Sequence, residues 1–540
     1  MKNNHVRFRF IIYVVIVYLI AFFVLKTLQV YILTPLITDA YNGESISFLN
    51  ELIKKHRLKN PDVRTQDFYL QQSNYYIIRI YLLSILFGGF GAYHVNTGFK
   101  RIKSFFQERS HPINLSVLRI IVFTYLLVGG FHQSAITFSK LGKDALVPPF
   151  GWGFLLDVPY PSAEVVTFLV YLFWISCVFG LLGIFTLRSI QASTVLGFFI
   201  IGLPMMYGKI NSYYIIWHIL LLMSFGPKTH LLSIDAILKK RKSFPSIDTV
   251  DFSKTAIIIN STLILIGFCY LFPGIWKFVF SGFEWALSDN LKYKMHSKWL
   301  ELGGWLPIIR LDHFPFLYKF SALLTLILEI TFSFGIFFKT WRPIFIIVAL
   351  GFHIMVAITM KIIFWPVIIL YACFIDWSKI IPKKNDQIPQ SILFNAKNLR
   401  SLMVASFFVL FFTILTGATL IKSWPFGVYP TFASIEKPQQ TTLAIEINYS
   451  ENKPDVLLPI LAFELFKEDF ESSERLRGFL DSIVLNENTS NMRALTNSLS
   501  KHYPNATSYT FYTVLISTNP DTDYQVLQQN RALYNFKISE

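Results

Sequence analysis

Three ionisable side chains sit where apolar sequence makes them costly. Lys277 closes the stretch Tyr270-Leu271-Phe272-Pro273-Gly274-Ile275-Trp276-Lys277, Glu329 lies in Leu326-Ile327-Leu328-Glu329-Ile330, and His353 lies in Gly351-Phe352-His353-Ile354. A charge taken from water loses its hydration, so such a group faces a partner, a cavity or the membrane interface. Lys277 either snorkels to the interface or sits in an apolar pocket, where its neutral amine is a base at physiological pH. Glu329 serves either as a helix–helix hydrogen-bonding group or as a partner in a cavity. His353, like His132 and His218, reads as a packed hydrogen-bonding residue within an apolar segment. No His pair has i, i+4 spacing and no HExxH or CxxC occurs, so no metal site is expected. Cys177, Cys269 and Cys373 all lie in apolar runs and read as small packing residues.

The elements that carry these groups are apolar helices. The chain has 540 residues, is 53% hydrophobic and only 15% charged, and has a mean hydropathy of +0.47. A soluble surface needs more charge than this. The net charge of +16 invites a nucleic-acid reading, but the basic residues flank apolar segments, as topology determinants do. Eleven segments approach the length of about 20 residues that a bilayer requires: 10–33, 76–95, 115–137, 163–186, 189–207, 212–226, 255–277, 316–338, 343–358, 362–376 and 399–420. The first is too long for a signal-peptide core and reads as a retained helix. The 343–376 stretch is interrupted by Lys361 and Trp365-Pro366 and reads as a helical hairpin. Basic clusters then fall on alternate loops, which puts the N-terminus in the cytoplasm and the C-terminus outside. The segment 281–315, with Phe283, Trp285, Trp299 and Trp305 among charges, reads as an element at the outer interface.

Composition changes after Ile421. Residues 430–540 hold 9 basic and 14 acidic residues. Thr442–Asn448 and Tyr509–Ser517 read as strands, and Ser473–Leu485 and Asn491–His502 as helices. The expected fold is mainly α: a polytopic membrane helical bundle with a small exterior α+β domain. Its parts are two N-terminal helices and an exterior loop (1–109), a membrane core (110–380), a cytoplasmic linker and last helix (381–425), and the exterior domain (426–540).

Several stretches in order resemble the HTTM (horizontally transferred transmembrane) domain, the membrane module of vitamin K-dependent gamma-glutamyl carboxylase. They are Leu115-Ser116-Val117-Leu118-Arg119-Ile120, Leu232-Ser233-Ile234-Asp235-Ala236, Tyr270–Lys277 with Trp285, Leu328-Glu329, and Phe352-His353 followed by Phe364-Trp365-Pro366. The resemblance implies carboxylase-like, quinol-dependent chemistry. Lys277 would be the base that deprotonates a vitamin K-like hydroquinone, His353 and Glu329 would be further catalytic residues, and Trp276 and Trp285 would bind the quinone. One position departs from the pattern: Ser212, in Asn211-Ser212-Tyr213-Tyr214, stands where the carboxylase has a catalytic histidine. The expected partners are membrane lipid and a secreted peptide or protein, with no nucleic acid. A second reading is a non-enzymatic accessory protein for maturation or export of a secreted peptide, as in the sporulation-delaying protein B type.

Overall fold

The structure is a computed structural model. It describes residues 2–58, 65–96, 105, 110–208, 210–228, 230–240, 249–381, 396–427, 432–449, 455–457, 479, 483, 489–522 and 524–537. The expected helix Ser473–Leu485 falls largely outside the described residues. The chain forms two compact units. One joins Met1–Ile102 to the short segment Ile275–Phe283; the other holds Lys103–Gly274 and Glu284–Glu540.

In the first unit α1 (Lys2–Leu28) runs through a π-helical turn (Gln29–Leu33) into α2 (Thr34–Asn42), followed by α3 (Ser47–Leu58) and α4 (Gln66–Asn96). Polar side chains join α1 to α4. The Tyr18 hydroxyl donates to the Ser84 carbonyl at 2.6 Å, the Tyr81 hydroxyl donates to the Tyr18 carbonyl at 2.9 Å, and the Lys26 ammonium meets Asn74.

The second unit contains α5 (Pro112–Val128), α6 (Phe131–Leu141), α7 (Ala163–Leu182), α8 (Thr186–Gly202), α9 (Tyr214–Met223) and α10 (Ile234–Lys240). α11 (Thr249–Ser281) is continuous, and its last turns belong to the first unit. Then come α12 (Glu284–Leu287), α13 (Asn290–Glu301), α14 (Pro315–Gly335), α15 (Arg342–Met360), α16 (Trp365–Leu370) and α17 (Ala396–Thr419).

Seven of the described helical stretches are long and apolar enough to cross a membrane: Val15–Asn42, Ala163–Leu182, Thr186–Met206, Phe252–Ser281, Pro315–Gly335, Arg342–Met360 and Leu399–Thr419. An eighth is the pair α5 and α6, bent by 40° where Gly130 takes a left-handed backbone (φ 76°) that suits a residue without a Cβ. Three expected segments differ. The 76–95 segment is the second part of α4, which begins with the polar Gln66, Gln71, Gln72 and Asn74. The 212–226 and 362–376 segments form only the short apolar helices Tyr214–Met223 and Trp365–Phe374. Between α15 and α16 the helix stops at Lys361, whose left-handed backbone (φ 52°) ends the run, and whose ammonium lies 4.2 Å from the Trp305 ring centroid.

The C-terminal part carries a four-stranded antiparallel sheet of order β2-β1-β3-β4. Its strands are β1 (Gln439–Asn448), β2 (Asp455–Leu457), β3 (Ser508–Ser517) and β4 (Val526–Lys537), and α18 (Thr489–His502) precedes β3. β1 and β3 pair over ten residues, from Gln439 opposite Ser517 to Asn448 opposite Ser508.

α11 and α14 touch closely at two glycines seven residues apart, and so on one face of the helix. A Cβ on Gly267 would lie 2.9 Å from Ser333 Oγ, whose hydroxyl donates to the Gly267 carbonyl at 2.7 Å. A Cβ on Gly274 would lie 2.8 Å from Glu329 Cβ and 3.0 Å from the Glu329 carbonyl carbon. Backbone cannot yield there as a side-chain tip can. Gly274→Ala should therefore lower stability by about 1–3 kcal/mol, the usual cost of overpacking. Gly351→Ala, where a Cβ meets nothing within 4 Å, should be neutral or stabilising by roughly 0.5–1 kcal/mol. Thermal unfolding of the two purified variants checks the contrast.

Candidate functional site

The α11–α14 contact fixes Tyr270 between its two glycines. Its ring stacks on Phe332 of α14, with centroids 4.3 Å apart. Its hydroxyl is 2.7 Å from His353 Nε2 of α15 and also meets the Tyr371 hydroxyl. His353 Nε2 lies 3.1 Å from that same Tyr371 hydroxyl. All three residues are buried, and the apolar walls around them include Phe332, Phe352 and Phe364. Two phenols and an imidazole can each donate and accept, so a proton can change places within the trio without a net charge appearing.

Glu329 is buried on α14, one turn before Phe332, and packs against Gly274. Arg119 is fully buried and donates to the Leu232 carbonyl. Asp235 in turn accepts from the backbone N–H of Phe185 and Thr186, at 3.1 and 2.7 Å, where α8 begins. Arg119 is thus a structural tie between α5 and the segment that caps α8.

Lys277 and Trp276 lie on Ile275–Phe283, in the first unit, whereas Glu329, His353 and Trp285 belong to the second. Lys277 is only 3% exposed. Trp276 packs on Phe280 with centroids 5.2 Å apart. This segment ends α11, where carbonyls lack helical partners. Arg79 of α4 supplies donors, with Nη1 3.0 Å from the Val279 carbonyl and 2.6 Å from that of Phe280. Trp285 is buried, and its indole N–H donates to the Phe432 carbonyl at 2.8 Å. Ser212 lies in the turn before α9. The nearby His218 is fully buried, with Nε2 2.9 Å from the Pro425 carbonyl, so that nitrogen carries the proton.

The segment 281–315 holds a buried polar network. Its helix α13 is enclosed, with Lys294, His296, Lys298, Trp299 and Glu301 all buried, while Phe283, Leu306, Ile308 and Ile309 are exposed. Each charge has a partner, as burial demands. Lys294 pairs with Glu436 at 3.3 Å and Lys298 with Glu301 at 2.6 Å. His296 Nε2 lies 3.0 Å from Asp312, and Arg310 grips Asp312 through two hydrogen bonds of 2.9 and 2.8 Å. Arg310 also reaches Asp521, at 3.0 Å, and lies over the Trp299 ring. Trp299 donates to the Thr359 carbonyl of α15 at 2.7 Å, while Leu300 packs with Ala444, Tyr512, Val514 and Ile516 of the sheet. Asp312, His313 and Asp521 bring possible metal-ligand atoms within 4.8 Å of one another, but both carboxylates already pair with Arg310.

The charges of this segment stand out in the sequence but their network does not, because its members are spread from 294 to 521. Sequence reasoning also passed over Tyr371 and Arg79. Tyr270 was visible only as the first residue of a motif stretch.

Comparison with protein-family models, with curated proteins and with solved structures finds no match to this chain.

Burial works to raise the Asp312 carboxyl, but hydrogen bonds from His296 and Arg310 and the charge of Arg310 outweigh it and hold the group below the ordinary carboxylate range. A depressed carboxyl stabilises the fold above its unfolded value of about 3.9, and that stability is lost as pH falls through the lower folded value. Asp312 should therefore contribute no pH dependence between about pH 5 and 8. Asp312→Asn leaves Arg310 and His296 without their buried counter-charge and should cost about 3–5 kcal/mol. Thermal unfolding from pH 5 to 8, with limited proteolysis of the C-terminal sheet, checks both expectations.

Proposed function

We propose that the chain is a multi-pass membrane protein of the HTTM type that moves a proton to or from an apolar, quinone- or lipid-like ligand. The observation that carries this reading is the Tyr270–His353–Tyr371 trio buried among apolar helices. Desolvation makes such a group costly, and three apolar side chains would pack the same space without that cost. Intramembrane groups of this kind mark proton pathways by default. Contacts between the stretches that carry the resemblance support the reading further: Arg119 meets Leu232, Glu329 meets Gly274, and His353 meets Tyr270.

The chemistry of the trio suits a hydroquinone. Its hydroxyls donate and its oxidised carbonyls accept, and phenol and imidazole can answer both. Such a ligand would supply an acidic hydroxyl within the membrane. Lys277 is the base in this reading and takes the hydroxyl proton. His353 and the two tyrosines hold or pass a proton. Ser212 cannot act as a general base as a histidine would, so the role of the carboxylase histidine is not carried at that position.

Purified protein in lipid nanodiscs, supplied with a vitamin K-type hydroquinone and oxygen, tests this proposal. Oxidation should fall about 10²–10⁴-fold in Lys277→Ala, the range of general-base catalysis, and also fall in His353→Phe. Equal turnover by wild type and Lys277→Ala would remove Lys277 from the chemistry. Absence of turnover in the wild type, together with co-purification of a secreted peptide, would favour the accessory reading.

A further inference from the structure

An apolar cavity of about 140 Å³ lies among the segment that follows α6, the end of α8 and the chain just after α17. Trp152, Phe198, Phe199, Leu203, Met206 and Trp424 form much of its wall, and no charged side chain lines it. The wall is braced. Phe198 lies 6.0 Å from Trp152 and 5.8 Å from Trp424, centroid to centroid. The Trp152 indole donates to the Trp424 carbonyl at 2.8 Å, and the Ser423 hydroxyl donates to the Phe150 carbonyl at 2.6 Å. The one hydroxyl in the wall, that of Tyr160, bonds to Tyr207.

Such a space suits an apolar guest and excludes water, which needs polar partners. An apolar cavity of roughly 150 Å³ in another protein stays dry and binds benzene. One ring therefore fits here, and a lipid tail does not. The aromatic walls add edge-to-face contacts for an aromatic guest. The cavity is reached from the segment before α7, where the wall residue Val158 is 39% exposed. Between 152 and 164 the only charges are Asp157 and Glu164, and both are exposed. An acidic entrance favours a guest with basic neighbours. The cavity also lies at the end of the helices that carries the C-terminal sheet. Asn491 of α18 donates to the Asp144 and Leu146 carbonyls at 3.0 and 3.3 Å, and Leu146 is a wall residue.

We infer that this cavity receives one phenylalanine side chain of a peptide, with basic residues beside it that meet Asp157 and Glu164. Binding energy at peptide and protein interfaces concentrates in such anchors, an aromatic side chain in a desolvated pocket within a polar rim. A phospholipid is a poorer guest, because its phosphate would face the same two carboxylates. The site is independent of the reading proposed for Lys277 and His353.

Full-length protein in phosphatidylcholine nanodiscs, titrated with an acetylated Lys-Phe-Lys amide that carries para-fluorophenylalanine, tests the inference by fluorine NMR. Empty nanodiscs give the part that is partition into lipid. The fluorine signal should shift and broaden saturably with protein, and unlabelled Lys-Phe-Lys should displace it where Lys-Ala-Lys does not. Val158→Trp fills the cavity from its exposed wall and should weaken binding at least about tenfold, as loss of an anchor pocket does. Asp157→Lys combined with Glu164→Lys changes only exposed positions. It should weaken the peptide about fivefold, the scale of two exposed ion pairs, and leave binding of uncharged fluorobenzene unchanged. A signal no different from that of empty nanodiscs, equal displacement by Lys-Ala-Lys, or unchanged affinity in Val158→Trp would overturn the inference. Binding of fluorobenzene without binding of the peptide would overturn the assignment to a peptide.

Discussion

The close approach of α11 and α14 is the constraint on which the central polar trio depends. Gly267 and Gly274 remove the side chains that would hold the helices apart. Small residues let apolar helices gain dispersion energy where no hydrophobic force distinguishes protein from lipid. The approach also makes room for the Ser333 hydroxyl to reach a helix carbonyl. Tyr270 lies between the two glycines, and its position against Phe332 sets where its hydroxyl stands relative to His353 and Tyr371. Widening that contact by one methyl would shift the phenol as well as the helices.

Several polar groups within the apolar helices are answered by a carbonyl, a backbone N–H or an opposite charge from another element. Arg79 answers the end of α11, Arg119 answers the Leu232 carbonyl, and Asp235 answers the start of α8. Cationic donors thus close a helix C-terminus and a loop carbonyl, and a carboxylate closes a helix N-terminus, as the helix dipole favours.

Much of this architecture was legible in the sequence. Apolar length alone located the seven candidate spans and the bent pair, because about 20 apolar residues are difficult to use otherwise. β1, β3 and α18 were visible through β-branched content and helical periodicity. β4 was not: Gln528, Gln529, Asn530 and Arg531 give it the polarity of a loop, and its pairing with β3 supplies what its composition lacks. The short α9 and α16 were overestimated because an apolar run does not disclose where a helix breaks. Glu329 and His353 stood out individually as misplaced polar residues. The hydroxyl partners of His353 did not, since Tyr270 and Tyr371 are ordinary in apolar sequence and only the packing joins them.

The enclosure of α13 has a consequence for how the C-terminal region is regarded. The helix is wrapped on one side by the sheet and on the other by α15 and the segment before α14, with its lysines paired to Glu436 and Glu301. The sheet is therefore not a pendant module on a tether. Cutting it away would bare an aliphatic surface and strip Lys294 and Arg310 of carboxylates they now hold. A truncated chain would report on the integrity of the helical part before it reported on any partner of the sheet. Exchange of this region between related proteins would succeed only if α13 travelled with it, so the two segments are constrained to change together.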